Sequence, residues 1–199
     1  MRSERTGALL AIIAVLGLLT AAIPAMSQKK AARSQANPIV ALDTTMGTLK
    51  VQLFPGKAPV TTRNFLEYVN SGFYNGTIIH RVDFVIGLGG YTEARTLKPG
   101  RAGIKNESKN GLKNFRGTLA MARYSDPDSA TSQFFINLSD NAHLDPPKGG
   151  GFGYAVFGKV VEGMDVVDSI AKVKTENKSP FSNIPVRAVI VKSAKVVTQ

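Results

Sequence analysis

Apolar residues recur at every second position in several short stretches, and at helical spacing in two. Ile39-Val40-Ala41-Leu42 and Gly47 to Leu53 read as a hairpin with Leu49, Val51 and Leu53 on its buried face, closed by Pro55-Gly56. A helix is predicted from about Pro59 to Asn70. Proline suits its first position, Phe65, Leu66 and Val69 form its stripe, and Gly72 is placed to end it. Thr77 to Val82 is strand-like, and Phe84 to Gly90 is a strand dissolving into glycine. Residues 92–116 are polar, carry Pro99-Gly100 and Asn110-Gly111, and predict a long surface excursion.

Gly117 to Arg123 then alternates as a strand. Tyr124 to Thr131 is a polar loop, and Ser132 to Ile136 a second strand. In that second strand Gln133 and Phe135 share one face, while Ser132, Phe134 and Ile136 share the other. Asn141 to Asp145 reads as a short helical turn or loop, and Pro146 to Gly153 as a flexible tip. Tyr154 to Val160 is a strand, and Glu162 to Val173 a second helix with Met164, Val167, Ile170 and Ala171 at helical spacing. Arg187 to Val197 is a closing strand. Short strands with two separated helices and no βαβ rhythm predict a mainly β fold, an antiparallel barrel whose ends the helices plug.

The start of the chain has a different character. Arg2 and Arg5 precede an apolar run of 16 residues, Ala8 to Ile23, and Pro24-Ala25-Met26-Ser27 offers small residues before a cut after Ser27. Residues 1–27 therefore read as an export signal. The run falls short of the roughly 20 residues that span a bilayer, and an uncleaved anchor is the alternative. Residues 28–37 form a polar, basic, flexible linker, and the folded domain is expected over 38–199.

Composition then narrows the chemistry. There is no cysteine, which excludes disulfides, a thiolate nucleophile, a cysteine zinc site and lipid attachment at the cleavage point. Two histidines, His80 and His143, do not support a multi-His metal centre. The net charge of +11 comes from scattered Lys and Arg with no aromatic-interleaved basic stripe, so a solvated basic surface is favoured over nucleic-acid binding. Gly87-Leu88-Gly89-Gly90 lacks the Gly-Lys-Ser/Thr that would make it a phosphate loop. Gln133 beside Phe135 sets an amide next to a flat apolar surface, which suits a peptide with a ring to bury. A core strand with one exposed glutamine is the plainer alternative.

Leu119-Ala120-Met121-Ala122, Ser132 to Ile136 and Val156 to Val160, with Phe65, Phe73-Tyr74 and His80-Arg81, resemble the cyclophilins over about Pro38 to Val197. Asn106-Glu107, Ser129 to Gln133 and Phe152-Gly153-Tyr154 are similar to the exported bacterial branch. The resemblance implies an eight-stranded antiparallel barrel closed by two α-helices, and peptidyl-prolyl cis-trans isomerase activity on proline-containing unfolded or extended polypeptides. It implies a periplasmic monomer with no cofactor and no metal, touching membrane only through an uncleaved signal.

By the same resemblance Arg81 is the catalytic arginine. Phe135, Leu144, Phe84 and Val85 wall the proline pocket, Gln133 holds the substrate backbone, Ala122-Arg123 is the edge along which the peptide lies, and Tyr154 stands at the rim. His80 is expected to be structural, hydrogen-bonded inside the barrel.

Two departures from the family pattern stand out. His143 occupies a position where the family commonly has Trp, or Phe in bacterial members. Only Val82-Asp83 separate Arg81 from Phe84, where four residues are usual, and Gly87-Leu88 stand in place of Gln-Gly. The shortened Arg81–Gly90 segment supports an alternative, a proline-binding or chaperone module with weak catalysis.

Overall fold

In the computed structural model, which describes residues 37–197, eight strands close into an antiparallel barrel. In chain order they are β1 (Ile39–Thr44), β2 (Gly47–Leu53), β3 (Thr77–Val82), β4 (Val85–Thr92), β5 (Thr118–Met121), β6 (Phe134–Asn137), β7 (Val156–Glu162) and, last in the chain, β10 (Ile190–Val197). Around the barrel the order is β1, β10, β3, β4, β6, β5, β7, β2, and β2 returns to pair with β1. Closure removes every exposed strand edge. A separate two-stranded sheet, β8 (Thr175–Lys178) with β9 (Phe181–Pro185), lies outside the barrel order. The expected signal and all of the linker except Asn37 lie outside the described residues. Among the described residues no helix is long and apolar enough to cross a membrane.

The barrel is filled by an aromatic hub. The Phe65 ring, from helix α1 (Pro59–Asn70), lies 5.4 Å from Tyr74, 5.2 Å from Phe134 and 5.2 Å from Phe157. Buried Tyr74 satisfies its hydroxyl by donating to the Ser132 carbonyl at 3.0 Å. Helix α2 (Met164–Ala171) adds Val167 and Ile170 to the same core.

Helix α1 has no capping side chain of its own. Glu107 supplies one from the long excursion, accepting the Val60 and Thr61 N–H groups at 3.1 and 2.8 Å. A carboxylate there satisfies two orphan donors and complements the helix dipole. The polar excursion is therefore tied to the barrel rather than merely draped over it.

Several boundaries differ from the sequence-based expectation. The second helix starts at Met164 rather than Glu162, because Gly163 takes a left-handed φ of 89° and lets β7 run on through Glu162. Strand β5 stops at Met121 and β6 starts at Phe134, so Ala122, Arg123 and Gln133 stand just beyond the ladder. The closing strand begins at Ile190 instead of Arg187, and β7 begins at Val156 instead of Tyr154. Asn141 to Asp145 contains a 3-10 turn, Ala142–Leu144.

Candidate active site

The alternation of β6 decides where the site sits. Phe134 and Ile136 point into the barrel core, so Phe135 points out. On this outer face Phe135 joins Val85, Ala120, Leu144 and Val156 in a buried apolar cluster, with Leu112, Ala122 and Tyr154 packed against it. The Phe135 and Tyr154 rings meet edge-on, 5.6 Å apart. Leu144 is brought in by the 3-10 turn, whose end is fixed by the Tyr154 N–H donating to the Leu144 carbonyl at 2.9 Å. Asp145 anchors the same turn. Burial works to raise its carboxyl pKa, but hydrogen bonds from the Asn114 N–H and Nδ2, both 2.9 Å, and the Lys113 ammonium hold it below the usual value.

Arg81 reaches the same face through an irregularity. Ile79 pairs with Leu88 and Arg81 with Gly87, so β3 carries one extra residue, a β-bulge. A strict alternation would send Arg81 inward with Ile79; the bulge lets His80 and Arg81 border the same outer cavity. Across the strands the register then runs Arg81, Gly87, Phe135, Ala120, Val156. With strands about 4.8 Å apart, Arg81 and Phe135 stand roughly 10 Å apart at the backbone, and only the side-chain-free Gly87 lies between them. Arg81 and Phe135 thus share one cross-strand row, and the position between them is close-set: a Cβ at Gly87 would stand 3.3 Å from both Arg81 Cβ and His80 Nε2.

The guanidinium is not loose. Arg81 Nε donates to Asp83 Oδ2 at 2.7 Å, its Nη2 lies 2.7 Å from the same oxygen, and its Cζ stands 5.2 Å from the centre of the Phe84 ring. Phe84 is 39% exposed, and its ring lies 5.3 Å from that of His143. It therefore forms a rim with His143 instead of joining the buried wall as Val85, Phe135 and Leu144 do.

Gln133 borders two neighbouring cavities. One, of about 350 Å³, it shares with His80, Arg81, Tyr91 and Phe181; the other, of about 140 Å³, it shares with Ala122, Arg123 and Thr131. A Cβ at Gly90 would stand 2.6 Å from Gln133 Cγ, so only glycine lets the amide arm lie against β4. Arg123 is stitched to the tip, donating to the carbonyls of Gly153, Phe152 and Tyr124 at 3.1, 2.9 and 2.8 Å, with its Cζ 4.9 Å from the centre of the Tyr154 ring. The Ala122 N–H donates to the Gln133 carbonyl at 3.0 Å, which joins the two segments beside the pocket.

His80 differs from expectation. Its ring lies outside the barrel, 5.1 Å from Tyr91 and 6.4 Å from Phe181, and Nδ1 has no hydrogen-bond partner among the described residues. The β8–β9 hairpin creates this enclosure, since Phe181 and Ile184 cover Ile78 on the same outer face. Burial first, and the Arg81 charge second, lower its pKa to about 4. A histidine of the unfolded chain titrates near 6.5. Between these values the unfolded state binds a proton that the folded state refuses, so stability falls as pH drops from about 6.5 to about 4. The expected loss at pH 5 relative to pH 7 is about 2 kcal/mol. Urea midpoints at the two pH values measure it, and His80→Phe should flatten most of the difference; an equal slope in both proteins would refute the assignment.

Asp83, Leu112 and Val156 carry no site role in the sequence-based reading, yet they border the site. An acidic residue two positions after the arginine was the available signal for the first of these.

The chain and its fold have known relatives. Residues 39–196 match the family described as cyclophilin type peptidyl-prolyl cis-trans isomerase/CLD. Peptidyl-prolyl cis-trans isomerase A of Dickeya dadantii is 48% identical over 191 residues, covering 95% of this chain and 96% of that protein. Peptidyl-prolyl cis-trans isomerase B of Escherichia coli is 47% identical over 162 residues, covering 79% and 99%. A crystal structure of a cyclophilin type isomerase from Cryptosporidium parvum superimposes with a TM-score of 0.71 at 28% identity, covering 82% of this chain and 99% of that one. Another of the same protein, in the presence of the dipeptide Ala-Pro, gives 0.70 at 29%, covering 81% and 99%. With a family match over nearly all the described residues and the closed barrel expected of it, this chain belongs to the cyclophilin-type peptidyl-prolyl cis-trans isomerases.

Proposed function

We propose that this isomerase binds an extended Xaa-Pro segment across the outer face of β4, β5 and β6. The proline ring enters the cluster of Val85, Phe135 and Leu144, and Arg81 supplies the catalytic hydrogen bond. The observation that carries the reading is the cross-strand row in which Arg81 and Phe135 flank a bare Gly87. Resonance keeps the prolyl amide planar behind a barrier of about 18–20 kcal/mol. Twisting the bond returns a lone pair to the prolyl nitrogen, and a guanidinium N–H can donate to it only then. Such a bond favours the transition state over both planar isomers, which is what raises kcat. No proton is transferred, in keeping with a His80 whose pKa lies near 4. No cofactor or metal enters the mechanism.

The remaining residues take supporting roles. Gln133 holds the substrate backbone, Ala122 and Arg123 form the edge along which it lies, and Tyr154, Phe84 and His143 line the rim. Since Arg123 spends its guanidinium on the Phe152–Gly153 tip, its part is to shape that edge through the backbone. An exchange assay by NMR on an Ala-Pro peptide tests the assignment, with Phe135→Ala expected to raise KM. Unchanged exchange in that variant would move the pocket elsewhere.

The exposed Phe84 and the lack of a side chain at Gly87 also support a second reading, a proline-binding or chaperone module with weak turnover. Tight peptide binding without measurable exchange would establish it.

The substrates are inferred to be exported proteins, and the enzyme a periplasmic monomer. The basic start, apolar run and small residues before Gln28 support export. Mass spectrometry of the envelope fraction should find a mature chain starting at or near Gln28; full-length protein in the cytosol would contradict this.

Cyclosporin, the family's inhibitor, is expected to bind weakly. His143 offers a small, well-hydrated imidazole where indole is common, and losing such an anchor costs about 2 kcal/mol or more. Calorimetry should show strengthening in His143→Trp, whereas nanomolar binding by the unaltered chain would count against the match.

A further inference from the structure

The family's glutamine is missing beside Arg81, and the bare Gly87 pairs with Arg81 across β3 and β4. Something else must hold the guanidinium if it is to meet the substrate in a fixed pose. Resting on the reading of Arg81 as catalytic, we propose that Asp83 is a positioning residue that does this from within the shortened loop.

Exposed ion pairs are commonly incidental, and two residues of separation would bring many Arg–Asp pairs within reach. This one is built differently. Asp83 Oδ2 accepts Arg81 Nε at 2.7 Å and stands 2.7 Å from Nη2, so the fork is engaged along one edge. Asp83 Oδ1 meanwhile accepts the Val85 N–H at 3.2 Å, and the Asp83 N–H donates to the Val85 carbonyl at 3.0 Å. The carboxylate is thus fixed by the turn that it orients. Its side chain is only 20% exposed, against 45% for Arg81.

The next residue is also held, since the Phe84 carbonyl accepts from the Leu138 N–H at 3.2 Å and Asn141 Nδ2 at 3.3 Å. The Phe84 ring stands by the guanidinium with its centre 5.2 Å from Cζ. Of the five N–H donors of an arginine, those on Nη1 and one on Nη2 stay available for substrate. Fixing a long side chain before the substrate arrives removes an ordering cost from the catalytic step. The short loop is therefore a different solution to the same positioning problem: it moves an acidic residue to where it can reach the arginine.

The test is a kinetic and spectroscopic comparison of full-length Asp83→Ala, Asp83→Asn and Arg81→Ala, singly and combined, with an Ala-Pro peptide as substrate. Asp83→Ala is expected to lower kcat by about tenfold to a hundredfold, the range that a displacement of up to about 1 Å costs, with KM within about twofold. Asp83→Asn should fall between, because one carbonyl oxygen cannot serve Arg81 and Val85 together. It also keeps the turn if Asp83→Ala does not fold.

The Arg81 Nε–H resonance should be sharp in the unaltered protein and broadened in Asp83→Ala, a change that a purely structural role would not produce. On an Arg81→Ala background, removing Asp83 should slow the enzyme no further. An unchanged or raised kcat in both Asp83 variants overturns the positioning role, as does a loss of kcat that persists without Arg81. If Arg81→Ala itself keeps the full rate, the functional reading falls and the positioning role with it.

Discussion

Arg81→Ala is expected to slow isomerisation by about a hundredfold or more while leaving the barrel intact. Removing one donor aimed at charge that appears only in the transition state typically costs about 100- to 1,000-fold. The proposed function makes Arg81 such a donor, and its place on the outer face of β3, level with Phe135 across Gly87, supports that role. Its side chain is 45% exposed, and its ion pair with Asp83 is the kind that contributes about 1 kcal/mol or less to stability. Circular dichroism and the melting midpoint should therefore scarcely move. Arg81→Lys should recover little, because a point charge on a flexible stem cannot engage Asp83 along one edge and the substrate along another. A protease-coupled assay on an Ala-Pro peptide decides the matter. A normally folded Arg81→Ala protein with an undiminished rate would remove Arg81 from the mechanism.

The barrel was legible where the alternation was clean. Leu49, Val51 and Leu53 predicted the buried face of β2, and all three are within 2% of full burial. Helix α1 spans the expected Pro59 to Asn70, because proline sets its start and the helical stripe runs to its end. Motif resemblance carried the closed eight-stranded topology, which periodicity alone left as an unspecified barrel.

What escaped was set by non-local geometry. The β8–β9 hairpin has mostly exposed residues in β8, so no alternation announces it; only Phe181, Ile184 and Pro185 are buried in β9. Its position over Ile78 is what buries the His80 ring outside the barrel, where the sequence-based reading had placed it inside. The bulge at His80-Arg81 depends on how β3 registers against β4, and register is not written in either strand by itself. The shortened loop was visible, but Phe84 was expected in the pocket wall and stands at the rim beside His143 instead. The loop's compensation was hidden, because Asp83 reads in sequence as an ordinary turn residue.

The largest expected loss of stability comes from Phe65→Ala. Phe65 is fully buried, and its ring touches three others, Tyr74, Phe134 and Phe157, at centroid distances of 5.2 to 5.4 Å. Those partners come from three parts of the chain: the segment after α1, β6 and β7. The ring is thus the point where helix α1 is fastened to two barrel strands. Truncating a buried phenylalanine costs about 3–5 kcal/mol, and the lost edge-to-face contact with Phe134 places this site toward the upper end. A domain of this size has about 5–15 kcal/mol of stability in all, so the variant keeps a folded state but a marginal one.

Each kcal/mol shifts the midpoint by about 2–4 °C in a domain of 150–250 residues, which gives an expected drop of about 10 °C or more. Phe65→Leu, which refills most of the volume, should lose much less. The effect should reach the site as well. Phe134 and Phe135 are consecutive on β6, one packed against Phe65 inside and the other walling the pocket outside. Loosening the inner residue lets the outer one move, so the variant should lose turnover a few degrees below its own midpoint, whereas Arg81→Ala loses it at every temperature. A melting midpoint within about 2 °C of the unaltered protein would show that the hub is redundant, and that α1 is fastened elsewhere.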